Sequence, residues 1–364
     1  MRGRGGLSRA IILLGPWLVA SCAPPSGLSQ FPAPEAQQLR LRDREDVAAM
    51  RAHGWAVLAG VTRPAGGGTP AFARWPSLSD AFARGPSFRR IDQIETGMPV
   101  RQGAGAPMMM RVQFNAPAYR HIRARRLFRR ATLAAINAGF AADTPTERRA
   151  IAPFPRDSLA IKTVWTVVHA DRPTPVSVWD GAGEAEPAAW PRTVTVGPGG
   201  VPLSRFHHLP IAAADLETIR AIDPSAQAGD HLVLLAIHLT TREIPDWIWA
   251  TWWWHDRPDA GPFAAGRPAA LGGAWRNYLM DVAYSAETPR EADGGANAVF
   301  NPYLETSPGG HASNCMACHQ GAVWTPTGPA PFLPVTRGAR PPDDPRFRTG
   351  TRLDFMWSIA REAR

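Results

Sequence analysis

The sequence predicts an α+β fold in which an antiparallel, sandwich-like, β-rich body carries helices at its edges. Three observations support this prediction. Short runs of β-branched and aromatic residues are separated by turns through the middle of the chain. The 33 Gly and 37 Pro residues argue against a helical bundle. The hydrophobic fraction of 45% and the 14 Trp residues provide enough apolar surface for a core, which excludes a disordered chain.

The strands are predicted from these runs, and the last of them is apolar on both faces. Trp247, Trp249 and Trp253 alternate with Ile248, Trp252 and Trp254, so we expect a central strand that is covered on both sides. Its tryptophans have two interpretations, as core residues or as a wall of a binding site. The predicted strands are residues 159–169, 175–180, 192–196, 231–241 and 247–256.

Helices are predicted on both sides of an irregular stretch. One helix is expected over residues 39–52, ending near Gly54. Residues 60–110 lack periodicity and contain many Pro and Gly residues. Helical pattern returns over residues 117–138, with Asn115 as the N-cap and Gly139 as the stop.

The N-terminus has the composition of an export signal. Arg2, Arg4 and Arg9 form a basic region, and residues 11–20 form an apolar run that is too short to span a membrane as a mature helix. We therefore expect residues 1–21 to be a signal peptide that is removed from the mature protein.

The end of this signal resembles the lipobox of bacterial lipoproteins, in which small residues precede a cysteine that becomes lipidated. Cys22 follows Val-Ala-Ser and is the expected lipidation site. An ordinary cleavable signal with an incidental cysteine is the alternative. Ala23 is not the aspartate that retains lipoproteins at the inner membrane, so the resemblance implies an outer-membrane anchor facing the periplasm. Residues 22–38, rich in Pro and small residues, are the expected tether.

The motif that carries chemistry is C-x-x-C-H at residues 315–319. On a helical turn, Cys315, Cys318 and His319 share one face, so both sulfurs and the imidazole reach one edge of a ligand. Two such thiols form thioethers with the vinyl groups of haem, and the histidine becomes the proximal iron ligand. A zinc site would need further close Cys or His ligands, and a thioredoxin-like dithiol would need a βαβ context. A disulfide across the loop would leave His319 without a role.

At these residues the sequence resembles the c-type cytochromes. The segments IPDWIWATWWWHD, WRNYLMDVA and NPYLE, together with SNCMACH, are also similar to a group of exported bacterial cytochrome c proteins of uncharacterised function. The resemblance implies one covalent haem c and a shared fold, and it implies no substrate. Only 45 residues follow His319, so the body must supply most of the pocket. We therefore expect one β-rich domain over residues 39–364, with the haem-binding segment at about 300–364 packed on it.

The sixth iron ligand is left open by the sequence. Met356 is the best downstream candidate, although it also fits an ordinary apolar helical face. Open or water coordination is equally compatible with the sequence, and the choice bears on function because an open iron permits small-molecule chemistry. The other candidates are Met98, Met108, Met109, Met110, His231, His238 and His255.

Three functions are compatible with these residues. The first is a periplasm-facing, lipid-anchored cytochrome that transfers electrons to an unidentified redox partner protein. The second is a haem c oxidoreductase, peroxidase-like or acting on another small molecule, with an open iron site. The third is a sensing or binding lipoprotein in which haem is structural. Whether the protein is an enzyme stays open.

The net charge of +9 at pH 7 comes from arginine. Lys162 is the only lysine, which we interpret as genomic base composition. The densest basic cluster is expected to be a solvated helix face, with lipid headgroups or an acidic partner as alternatives. Nucleic acid is not an expected partner of an exported protein. The cluster consists of Arg120, Arg123, Arg125, Arg126, Arg129 and Arg130.

Overall fold

The protein combines helices with antiparallel sheets, which confirms the predicted α+β, β-rich class. The computed structural model describes residues 31–65, 68–82, 107–179, 192–305, 310–331 and 338–364. No helix in these ranges is long and apolar enough to cross a bilayer. The described helices are α1 (Glu35–Asp43), α2 (Val47–Val61), α3 (Leu78–Phe82), α4 (Ala116–Ala124), α5 (Arg130–Ala138), α6 (Leu216–Arg220), α7 (Cys315–His319), α8 (Pro345–Thr349) and α9 (Trp357–Glu362).

One six-stranded sheet organises the body. Its order is β1-β2-β6-β7-β8, and β5 pairs with the N-terminal end of β6. Two smaller sheets, β3–β4 and β10-β9-β11, complete the β structure of the described residues. The strands are β1 (Met108–Phe114), β2 (Leu159–Val168), β3 (Thr174–Val178), β4 (Arg192–Val196), β5 (His208–Pro210), β6 (His231–Thr241), β7 (Ile248–Trp254), β8 (Tyr278–Ala283), β9 (Val323–Thr325), β10 (Gly328–Pro329) and β11 (Thr351–Arg352).

Strand β7 lies between β6 and β8, and all seven of its residues are buried, as the sequence predicted. Helix α2 covers one face. At Gly54 the helix lies so close to the sheet that an added Cβ would be 2.7 Å from Met280 Cε and 3.7 Å from Ala250 Cβ. The opposite face meets the C-terminal segment, because Trp249 packs in one cluster with Met316 and Met356. The strand is therefore covered by elements from both ends of the chain.

The predicted helix over residues 39–52 is wrong in its bounds. The chain forms two helices, since Glu45 has a positive φ of 52° and Asp46 caps α2 by accepting a hydrogen bond from Ala49 N at 3.1 Å. Helix α2 then continues through Gly54. Glycine is required there for close approach to the sheet and does not end the helix.

The second helical stretch has the predicted ends but divides into α4 and α5, since Arg126 between them has a positive φ of 54°, and β1 was missed. Asn115 caps α4 by accepting from Ala118 N at 3.2 Å, and Gly139 is the C-cap of α5. The residues 108–110 lie on β1, where Met109 and Met110 are buried in the core. Three consecutive methionines gave no strand signal, because methionine has little β preference.

The predicted tether over residues 22–38 is too long at its C-terminal end. Ala33 N donates to Glu243 Oε1 at 2.7 Å, and Tyr284 Oη donates to Gln38 Oε1 at 2.8 Å. The fully buried Glu243 also contacts His53 Nε2 at 2.8 Å. Residues 33–38 are therefore docked on the sheet. The predicted signal peptide (1–21) and Cys22 lie outside the described residues.

We expect Gly54→Leu to lower the free energy of unfolding by about 1–3 kcal/mol, because the new side chain overpacks the contact with Met280. Leucine has the better helix propensity, by about 1 kcal/mol, so a loss of stability isolates the packing effect. Denaturant unfolding measures it, and Ala48→Leu on the exposed side of α2 is the control. Equal stability of the two variants would contradict the close approach.

Glu243 should make the docking of α1 pH-dependent. Burial acts to raise the pKa of Glu243, but bonds from His53, Thr241 and Ala33 outweigh it and hold the pKa below its usual value. The stabilisation is therefore full above the unfolded-state pKa of about 4.3 and is lost as pH falls through the lower folded-state pKa.

We accordingly expect Glu243→Gln to cost about 1–3 kcal/mol at pH 7 and progressively less below about pH 4. Urea unfolding from pH 7 to pH 3 measures the difference from the unmodified protein. Exposed Glu217→Gln is the control. A cost that is constant across this range would contradict a charged Glu243 in the folded state.

Candidate haem attachment site

The C-x-x-C-H motif folds as the single helical turn that the sequence predicted. Helix α7 begins after Asn314, whose side-chain oxygen accepts from Met316 N at 2.9 Å and from Ala317 N at 3.4 Å. Asn314 is itself buried, and its Nδ2 donates to Asn297 Oδ1 at 3.0 Å. The turn is thereby fixed, and its i, i+3 and i+4 positions share one face.

Both cysteines of the motif are free thiols. Cys315 is buried, and its Sγ donates to Val299 O at 3.2 Å. Burial raises the pKa of Cys315 well above its usual value and that of Cys318 to about 11. The thiols are therefore protonated at neutral pH. This differs from redox-active dithiols, whose reactivity depends on a lowered thiol pKa.

His319 is held as a neutral imidazole with one nitrogen committed. Burial lowers the pKa of His319 to about 4, although a hydrogen bond to Phe355 opposes the shift. Its Nδ1 lies 2.7 Å from Phe355 O, and a carbonyl can only accept, so Nδ1 carries the proton. Nε2 then has a lone pair, and no residue in the described ranges hydrogen-bonds to it. This tautomer and orientation are those of a metal-bound histidine.

The carbonyl that orients His319 comes from a strained backbone. Asp354 and Phe355 have positive φ angles of 49° and 67°, which are unusual for residues other than glycine. Asp354 anchors the segment, because its Oδ2 accepts from Phe154 N at 2.9 Å and from Arg242 Nε at 3.2 Å. Such strain costs about 1–3 kcal/mol per residue and is concentrated at functional sites.

The β body contributes a tryptophan directly to this site. The ring centroids of Trp249 and His319 are 4.2 Å apart, with an angle of 45° between the planes. Trp249 Nε1 donates to Asp246 O at 3.1 Å, and Trp357 Nε1 donates to Cys318 O at 3.2 Å. The sheet and the C-terminal segment therefore enclose the motif together.

The remaining tryptophans of β7 pack in the core, away from the motif. Each contacts another aromatic ring, and the stacking of Trp254 on Phe206 at 4.0 Å is the closest of these contacts. The Trp-rich strand therefore serves both expected purposes: Trp249 lies at the candidate site, and the other tryptophans of β7 are core residues. Trp252 also contacts Trp55 at 6.1 Å, and Trp253 contacts Phe263 at 5.1 Å and Trp179 at 5.6 Å.

A polar row crosses the sheet beside Trp249. Lys162, His238, Thr251 and Asp281 are successive partners in the registers of β2, β6, β7 and β8, so they share one face. Trp249 is two residues from Thr251 and lies on the same face. Base composition does not account for the position of Lys162, which is the direct partner of His238 on this face. A lone charge inside an apolar strand was the signal available in the sequence.

Glu305 brings a negative charge to this row, and the sequence analysis did not identify it. Glu305 Oε2 lies 3.5 Å from His238 Nε2 and accepts a hydrogen bond from Asn301 N. Burial acts to raise the pKa of Glu305, but His238, Asn301 N and Lys162 outweigh it and lower the pKa. Asn301 is fixed in turn, since its Nδ2 donates to Thr251 Oγ1 at 2.7 Å.

Met356 as the sixth ligand stays a prediction, and its backbone lies near the Nδ1 side of the His319 imidazole. It directly follows Phe355, whose carbonyl faces Nδ1, whereas iron would bind Nε2 on the other side of the ring. Its side chain is buried with Leu353 in the apolar cluster below the motif. The geometry therefore does not favour Met356 as the distal ligand.

The other candidates for the sixth ligand differ in where they lie. Met98 lies outside the described residues, and the methionines of β1 are core residues. His255 Nδ1 accepts from Arg257 N at 2.9 Å, and His231 lies at the far end of β6 beside His208. His238 is the candidate that belongs to the polar row beside the motif.

The basic cluster lies next to the C-terminus. Arg130 Nε donates to Ala363 O at 3.0 Å, and Arg123 packs over the ring of Phe128 at 4.2 Å. The other arginines of the cluster are exposed, as expected for a solvated face; they are Arg120, Arg125, Arg126 and Arg129.

The motif supplies the residues that a covalently attached haem would need. No three His, Cys, Asp or Glu side chains within the described ranges converge on a point where an ion could bind. Haem needs less from the protein, namely two thiols for its vinyl groups and one or two axial ligands. Two free thiols and a neutral imidazole on one helical turn meet that need.

We expect Asn314→Ala to lower the free energy of unfolding by about 1–2 kcal/mol, because α7 loses its N-cap. Denaturant unfolding measures the change. Asn314→Ser keeps a capping oxygen and should recover part of the loss. If both variants lose the same stability, capping is not what Asn314 contributes.

Wider comparisons of the chain do not extend its resemblance to c-type cytochromes. Comparison with protein-family models, with curated proteins and with solved structures finds no match. The resemblance therefore rests on the C-x-x-C-H motif, on the segments of the sequence that were compared with exported cytochrome c proteins, and on the expected export signal. Function must be argued from the residues of the site.

Proposed function

We propose that this protein is a monohaem c-type cytochrome that exchanges single electrons with a redox partner protein. The observation that carries the proposal is the neutral imidazole of His319, held through Nδ1 by Phe355 O at 2.7 Å beside two free thiols on the same turn. A bound haem would supply the reversible one-electron chemistry of its iron.

Each residue of the site has a defined part in this function. Cys315 and Cys318 would hold the haem through thioethers, and His319 would be its proximal ligand through Nε2. The carbonyl of Phe355 orients the imidazole and keeps the proton on Nδ1. Trp249 covers one side of the imidazole ring, and Cys315 is buried, whereas Cys318 and His319 stay partly exposed.

The proposed location is the periplasmic face of the outer membrane. It rests on the signal-like residues 1–21 and on Cys22 as the lipidation site. Covalent attachment of haem takes place outside the cytoplasm in bacteria, so export and the C-x-x-C-H motif are consistent with each other. An acidic surface on the redox partner would match the exposed arginines of α4 and the following loop.

A second candidate function is small-molecule chemistry at an open iron site. It is favoured by the position of Met356 on the Nδ1 side of His319 and by the polar row next to Trp249. Buried charges are costly and are retained mainly where they have a function. A structural haem in a sensing lipoprotein has no comparable observation in its favour.

The test is haem staining of a denaturing gel, after expression with a c-type maturation system. We expect a stained band for the unmodified protein and none for the Cys315→Ala, Cys318→Ala double variant. Cys22→Ala is the matched control, because it removes the proposed lipid and should leave the haem in place. Absence of stain from the unmodified protein, when a known c-type cytochrome stains in the same cells, would overturn the proposal.

A further inference from the structure

An open cleft lies at the other end of β7 from the C-x-x-C-H motif. Asp256, which lines the cleft, comes just after the last residue of the strand, whereas Trp249 is near its beginning. At about 3.3 Å per residue, the two positions are roughly 20 Å apart along the chain. The cleft has a volume of about 730 Å³, which is within the range of about 300–1,000 Å³ for small-molecule sites. It is therefore separate from the candidate haem attachment site.

Arg205 is fixed on one wall of this cleft. Its Nη2 donates to Asp256 O at 2.8 Å and to Asn277 Oδ1 at 3.1 Å. Asn277 is buried, and its Nδ2 donates in return to Arg205 O at 2.8 Å. Trp254 Nε1 donates to the same carbonyl at 3.0 Å. Three residues from a distant part of the chain thus hold the guanidinium in place without a ligand.

The wall engages only one nitrogen of this guanidinium. Both hydrogens of Nη2 are used, whereas Nε and Nη1 form no hydrogen bond or ion pair within the part of the chain that the structure describes. These two nitrogens carry three of the five N–H donors of an arginine. Arg205 is half-buried and lines the cleft, so the three donors are available to a ligand that enters it.

Arg276 brings a second guanidinium to the cleft from the short 3₁₀ helix Gly273–Asn277. Its side chain is 61% exposed, and its Nη2 lies 3.8 Å from Asp259 Oδ2, which is too long for a hydrogen bond. No closer polar partner of Arg276 is found among the described residues. Arg257, in the loop after β7, adds a third positive charge to the lining.

Both carboxylates of the cleft are paired with arginines that lie outside its lining. Arg192 holds Asp256 through two bonds, from Nη1 to Oδ2 at 2.9 Å and from Nη2 to Oδ1 at 2.5 Å. Arg267 Nη1 donates to Asp259 Oδ1 at 2.7 Å. Because these pairs neutralise the two acids, the arginines of the lining leave an excess of positive charge among the described residues. Such a cleft favours an anionic ligand.

We propose that this cleft binds a small molecule with two or more anionic groups, either carboxylates or phosphates. One group accepts hydrogen bonds from Nε or Nη1 of Arg205, and a second group pairs with Arg276. Guanidinium groups match the oxygens of carboxylates and phosphates in charge and geometry. The two arginines belong to different segments, so a ligand with a single charged group would engage only one of them. This site is a function additional to the proposed electron transfer and does not depend on it.

The experiment is isothermal titration calorimetry of the full protein with citrate and, separately, with pyrophosphate. We expect at least one of them to bind with a Kd of about 1 mM or tighter, and acetate to bind at least about 10-fold more weakly. The tighter of the two probes identifies the anionic group as carboxylate or phosphate. Arg205→Gln should weaken binding about 10- to 100-fold, because hydrogen bonds to a charged group are lost at a preorganised position. Arg276→Gln should weaken it about 3-fold, because its side chain is more exposed.

Arg125→Gln is the matched control, since it removes the same charge from an exposed position on the loop after α4 and should leave the affinity unchanged. The inference is overturned if neither citrate nor pyrophosphate binds, or if acetate binds as tightly as both. It is also overturned if Arg205→Gln and Arg276→Gln bind the probe as tightly as Arg125→Gln does. Should Arg205→Gln fail to fold, Arg276→Gln decides, because the side chain of Arg276 forms no hydrogen bond with the described part of the wall.

Discussion

Strand β7 must be covered on both faces, and the rest of the structure follows from this constraint. Its seven residues are all buried, and four of them are tryptophans. A buried tryptophan removes about 150–250 Å² from water, which contributes about 4–6 kcal/mol. One face is covered by α2, which approaches closely at Gly54. The other face is covered by the segment that carries the C-x-x-C-H motif, and this brings His319 against Trp249.

The face next to the motif is chemically different from the rest of the core. Lys162, His238 and Glu305 bring three titratable groups to a region where an apolar side chain would be less costly. The strained backbone at Asp354 and Phe355 also lowers the stability of the fold, and it directs one carbonyl at His319. Both features lie near one imidazole, so part of the energetic cost of the fold arises at the candidate site.

Local rules predicted a large part of the fold. The strand runs matched β2, β4, β6 and β7 to within two residues, because alternation and β-branched content depend on neighbouring residues alone. Caps at Asn115 and Gly139 were found for the same reason. Errors came where tertiary contacts overrode local signals. Gly54 was read as a stop although it packs on the sheet, and residues 33–38 were read as a tether although Glu243 docks them.

The sequence by itself determined the two thiols, the histidine and their common helical face, because the spacing within C-x-x-C-H is a property of five consecutive residues. Only the tertiary structure decided what surrounds them. Phe355 lies 36 residues after His319 in the chain, and Trp249 comes from β7. His238 and Lys162 become neighbours only through the register of β2 and β6. Such contacts depend on strand pairing and packing between distant segments, so no local pattern could assign Met356 to the Nδ1 side of the ring or bring Glu305 to His238.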